Sequence, residues 1–191
     1  MSDPAIIDAA QAEADTRRWL ERAVIGLNLC PFAKAVHVKG QIHYVTYLDT
    51  HEGRLIDALL AEARALVALD AEVRDTTLLI VPRALADFLD FNDFTERAER
   101  KLARAGFDGV LQLASFHPHF QFAGTEADDI TNATNRAPYP TLHLLREDSV
   151  DRAVEAFPEA EAIFERNIET LEVLGPDGWT ALDVGPGSAT P

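Results

Sequence analysis

Residues 42–81 decide the fold. They comprise the run Ile42–Leu48 (IHYVTYL), the tetrad Asp49-Thr50-His51-Glu52, an apolar series Leu55, Ile56, Leu59, Leu60, Ala63, Leu66 and Val67, and the run Thr77–Val81 (TLLIV) closed by Pro82. The first run is rich in β-branched and aromatic residues, which suit a pleated, half-buried surface. The tetrad has the form of a capping box, with its carboxylates facing the first-turn amides of a helix. The apolar series recurs with the helical period and is the strongest helical signal in the chain. Thr77–Val81 is short, continuously apolar and bounded by proline, so it predicts a strand buried on both faces. The order is strand, helix, strand.

The same reading extends outward. An amphipathic helix is expected from about Pro4 to Leu27, where Leu20, Val24 and Leu27 form a stripe widened by Trp19 and Ala23. Pro31 disfavours a helical Cys30, so that helix stops near Asn28 and a turn Leu29–Lys34 follows. Asp93-Phe94-Thr95-Glu96 is a second capping-box pattern, placing Phe94, Ala98, Leu102 and Ala105 inward, with Gly106 at the end. Val110–Phe116 and Thr141–Arg146 read as the third and fourth strands. Helices are then expected over Ser149–Phe157, with Ser149 as N-cap, and over Pro158–Leu174, stopped by Gly175-Pro176. The fold class is α/β: a single domain over residues 1–184, with a roughly four-stranded mixed sheet packed by helices. An ordered long loop joins strands three and four, and residues 185–191 form a disordered tail.

Composition narrows the function. Of 191 residues, 32 are acidic and 17 basic, a formal net charge of −15, and 47% are hydrophobic. A surface this negative repels phosphate backbones and anionic lipid, which argues against nucleic-acid and membrane partners. No apolar stretch is long enough for a membrane span, and the opening Met1-Ser2-Asp3-Pro4 lacks the basic region of a signal peptide. The one cysteine, Cys30, precludes an intramolecular disulfide, which suits a cytoplasmic location. Gly106-Phe107-Asp108-Gly109 is a helix stop, so NAD and P-loop nucleotide signatures are absent, and Ser115 has no GxSxG elbow.

Residues 117–140 carry the candidate chemistry. Loops beyond ~12–15 residues in compact domains tend to be functional or disordered. Phe116, Phe120, Phe122, Tyr139 and Leu142 argue for order here, because disorder would leave them all in water. Were the third strand to continue through Phe122, His117, His119 and Gln121 would share one side by period two. Two imidazoles at that spacing suit a general acid/base pair or a divalent metal, with Glu126, Asp128 and Asp129 as further ligands or orienting carboxylates. They also suit plain edge histidines and, for Asp129, a capped turn. Arg136, with Asn132 and Asn135, could clamp a small anionic ligand, or Arg136 could pair internally with one of those acids. His143 reads either as facing the same pocket or as a half-buried histidine bonded to backbone. Cys30, after a helix C-terminus, is either a nucleophile assisted by His117, His119 or Lys34, or a buried inert thiol.

The strings Leu27–Lys34 (LNLCPFAK), Leu113–Thr125 (LASFHPHFQFAGT), Thr134–Pro140 (TNRAPYP) and Leu142–Glu147 (LHLLRE) resemble a bacterial domain-of-unknown-function family of about this size. The resemblance runs from Trp19 to Gly175 and implies no activity. Two functions are therefore expected. The first is a small cytoplasmic enzyme acting on a small anionic molecule, with His117, His119 and Cys30 catalytic and Arg136, Asn132, Asn135 and Gln121 holding the substrate. The second is a non-catalytic metal- or ligand-binding module, or an accessory domain that docks on another protein.

Overall fold

The computed structural model describes residues 7–157 and 162–187. Four strands, β1 (Ile42–Thr46), β2 (Thr76–Ile80), β3 (Leu111–Phe116) and β4 (Thr141–Arg146), form one mixed sheet in the order β1-β2-β4-β3. β1 and β2 are parallel, and β4 runs antiparallel to both of its neighbours. Strands one to three thus point the same way, as alternation with helices predicts, and the return through the long loop reverses β4. Every residue of β2 is buried, in keeping with its unbroken apolar run.

Helices cover both faces. On one, Leu79, Leu111, Leu142 and Leu144 pack against Leu55, Leu59, Ala63 and Leu66 of α3 (Glu52–Ala68) and Phe91, Phe94 and Ala98 of α4 (Phe88–Leu102). On the other, Tyr44, Leu78 and Ile80 meet Trp19, Leu20, Ala23 and Val24. Burying a large side chain of this kind stabilises by about 1.5–3 kcal/mol, so the two layers hold most of the fold.

The N-terminal helix differs from expectation in form. Its predicted start at Pro4 lies outside the described residues; α1 is Ala9–Trp19, capped by Asp8, and a π-helical turn Leu20–Ile25 continues it. There the hydrogen bonds widen, Gly26 N–H to Glu21 carbonyl at 3.0 Å and Leu29 N–H to Val24 carbonyl at 2.9 Å, before Asn28 ends the run at φ 55°. A Cβ on Gly26 would lie 2.2 Å from the Arg22 carbonyl oxygen, so this turn requires glycine. Gly26→Ala is expected to cost about 2 kcal/mol in urea unfolding, the scale of a forced backbone shift in a packed region.

Five local readings are corrected. A short helix α2 (Ala33–Val38) follows the Cys-Pro turn. α4 opens not at Asp93 but six residues earlier, where Asp87 accepts from the Leu89 and Asp90 amides at 2.8 and 3.1 Å. The added turn brings Phe88 and Phe91 against the third strand's end, and burial of these rings outweighs the Asp93 cap. At its far end Phe107, not Ala105, turns inward, because Gly106 takes φ 88° and swings the chain round. Ser149 lies inside α5 (Glu147–Ala156) rather than capping it, its hydroxyl donating to Asp75 at 2.5 Å. α6 (Ile163–Ala181) breaks at Gly175 as expected, yet resumes beyond Pro176, which suits the first turn of a helix. The predicted start at Pro158 lies outside the described residues. Gly185 and Gly187 bond to α1, through Arg18 and Asp15; residues 188–191 lie outside those described.

Candidate functional site

The long loop is ordered and folds inward, but β3 ends at Phe116 and the chain turns at once. His117, His119 and Gln121 therefore do not share a strand face. His117 is fully buried, its Nε2–H donating to the Leu85 carbonyl at 3.0 Å and its Nδ1 accepting from the His119 amide at 3.0 Å. Since the carbonyl can only accept and the amide can only donate, both ring nitrogens are spoken for and the tautomer is fixed. Burial against Phe88 and Phe91, ring centroids 5.5 and 5.0 Å away, lowers its pKa and keeps it neutral. The His119 ring lies 5.8 Å from it.

The other loop candidates staple the loop to itself. Asn132, also fully buried, accepts from the Phe122 amide and the Thr125 hydroxyl at 2.9 and 2.8 Å and donates to the Glu126 carbonyl at 2.8 Å. Asn135 donates to the Ser115 carbonyl at 3.2 Å. Arg136 donates to the Phe120 and Ala127 carbonyls at 3.2 and 2.6 Å, and burial draws its pKa down against the pull of the Asp129 carboxylate. Gln121, exposed, donates to the Thr125 carbonyl at 2.6 Å. Asp129 caps the short 3-10 turn Ile130–Asn135 through the Thr131 amide. Among the described residues, no three His, Cys, Asp or Glu side chains are placed together as a metal site.

A cavity of about 590 Å³ opens elsewhere, on the sheet face that carries α1. Register explains its floor: Ile42 pairs with Thr76, Leu78 with His143, and His143 with Ala114, so these side chains share one side. Trp19, Leu20 and Val24 form one wall, Cys30, Pro31, Phe32 and Val36 another, and Val150, Ala153 and Phe157 under α5 the roof. The size falls in the ~300–1,000 Å³ range of small-molecule sites. α5 has no fully buried side chain; it stands off the sheet and leaves the space open.

Few polar groups reach this cavity. At the rim, the Ser149 hydroxyl donates to Asp75 and accepts from Arg152 at 3.0 Å, while Arg146 lies 3.9 Å from Asp75. On the floor, the Thr76 hydroxyl donates to the Leu144 carbonyl at 2.6 Å, and its oxygen lies 2.6 Å from His143 Nε2. The hydroxyl has one proton, already given to the carbonyl, so Nε2 must supply the proton it shares with Thr76. His143 Nδ1 then holds a lone pair open to the cavity, with no donor among the described residues. Burial pushes the His143 pKa down to about 4. Cys30 is half-buried, and burial raises its pKa, opposed by the Phe32 and Ala33 amides. Among the described residues, no imidazole hydrogen-bonds to it.

Sequence reasoning thus met His143 and Cys30 but not Thr76, Asp75, Ser149 or the roof. The available signal was the spacing of Val150, Ala153 and Phe157 on a short, largely exposed helix. Comparison with curated proteins and with solved structures finds no match to the chain. The sequence model of a family described as "Protein of unknown function (DUF1415)" matches residues 11–181, in line with the resemblance of the four strings. The chain belongs to the DUF1415 family.

Proposed function

We propose that the protein binds a small, largely apolar molecule in the cavity beneath α5. One observation carries this: about 590 Å³ of apolar-lined space surrounds the ring of His143, whose Nδ1 receives no hydrogen bond from a described residue. Apolar walls with a few placed polar groups are the common make-up of ligand sites. The expected ligand-binding module is the better supported of the two functions. Anion capture by Arg136 and acid/base work by His117 draw no support from the geometry, because their polar atoms serve backbone carbonyls and an amide. A nucleophilic Cys30 is disfavoured by the missing base and the raised pKa. A cytoplasmic setting is proposed with it: no described helix is long and apolar enough to cross a membrane, and the lone cysteine needs no oxidising compartment.

Titration with N-phenyl-1-naphthylamine, a neutral three-ring fluorophore, tests the reading. Its emission is expected to rise with saturation at one equivalent. Ala153→Trp, which fills the space from the roof, is expected to weaken binding at least tenfold while circular dichroism stays unchanged. Absence of saturable binding, or undiminished binding in the folded variant, contradicts it.

A further inference from the structure

We infer that the cavity selects neutral ligands carrying a hydrogen-bond donor, such as a hydroxyl or amide N–H, over their anionic counterparts, the donor bonding to His143 Nδ1. This rests on the cavity being the ligand site and adds the chemistry it recognises.

The tautomer is fixed by covalent arithmetic at Thr76. Its only hydroxyl proton faces the Leu144 carbonyl, so the contact to His143 Nε2 uses the imidazole proton. What His143 shows the cavity is therefore an acceptor. Leu78 and Ala114 flank His143 in register, so no polar neighbour on the adjacent strands can satisfy that acceptor. A ligand donor placed there gains a hydrogen bond in an apolar setting, whereas a ligand without one leaves the nitrogen unsatisfied, a difference of about tenfold in affinity.

Charge sets the other half of the preference. Among the described residues, no lysine or arginine lines the cavity, and its one ionisable acid is Asp75 at the rim. A carboxylate inside would lose its hydration, lie beyond the rim guanidiniums of Arg146 and Arg152, which Asp75 and Ser149 engage, and face the Nδ1 lone pair. The neutral state of His143 agrees with this arrangement.

Three compounds of one shape separate the possibilities: 2-naphthol, 2-methoxynaphthalene and 2-naphthoate, titrated calorimetrically near neutral pH. The wild type is expected to bind naphthol about tenfold more tightly than the ether and more tightly still than the naphthoate. In His143→Phe, which keeps the bulk and removes the acceptor, naphthol and the ether should bind within about threefold of each other. Equal binding of naphthol and ether by the wild type, tightest binding of naphthoate, or a preference that survives His143→Phe overturns the inference. In each of those cases, sensitivity to Ala153→Trp shows that the cavity still binds. If none of the three binds, or Ala153→Trp leaves all three unaffected, the ligand-site reading falls along with it.

Discussion

Asn132→Leu is expected to destabilise the protein by about 3 kcal/mol, a large part of the ~5–15 kcal/mol that holds an ordinary domain together. Leucine keeps the branch at Cγ but is bulkier and can neither accept nor donate, so overpacking at this buried position adds to the loss. What is lost is the centre of the loop: the Phe122 amide, the Thr125 hydroxyl and the Glu126 carbonyl all turn toward Asn132, which is fully buried. Removing Asn132 strands the Phe122 amide, at about 1–3 kcal/mol, and takes one bond from the Thr125 hydroxyl and the Glu126 carbonyl, which keep the Phe122 carbonyl and the Asp129 amide as partners. Urea unfolding measures the loss, and Asn135→Ala, which deletes a single bond to the Ser115 carbonyl, should cost only about 1 kcal/mol. A loss below that in Asn132→Leu would mean the loop is not held by its own polar network.

Acid should weaken the fold through His143. Its pKa is about 4 in the folded protein against an ordinary 6.5, so between those values the unfolded chain binds the proton and the folded one does not. The stabilisation is fully present above the ordinary pKa and is lost as pH falls toward the folded one. Between about pH 7 and about pH 4.5 the expected cost is about 2 kcal/mol. His117, lowered by burial too, adds to the slope in the same direction. His143→Phe should remove the His143 share, flattening the difference in urea midpoints between the two pH values by about that amount. An unchanged slope would show that His143 titrates in the folded protein as it does in water.

Periodicity in the sequence carried the sheet and its helices. IHYVTYL, TLLIV and TLHLLR fall within two residues of β1, β2 and β4, because burial on one or both faces leaves its mark in consecutive letters. Helix starts were harder. Asp87 and Asp93 are both acids before a helical run, and only the tertiary contact of Phe88 and Phe91 with His117 decides for Asp87. The loop's density of His, Asn and Arg was visible, yet the same residues that build sites also satisfy an ordered loop's backbone. Their carbonyl and amide partners have no letter of their own. The cavity was the least visible feature of all. Its lining comes from all four strands, the N-terminal helix, the Cys30 turn and two later helices, and empty space leaves no residue pattern. Only His143 and Cys30 hinted at it.

A crystal structure of the protein soaked with 2-naphthol addresses the central claim most directly. The expected result is the two-ring compound beneath α5, between Ala153 and the sheet, with its hydroxyl oxygen about 3 Å from His143 Nδ1. Naphthol found only elsewhere on the molecule, or α5 collapsed onto Leu78 and Phe116 with no space beneath it, would contradict the claim.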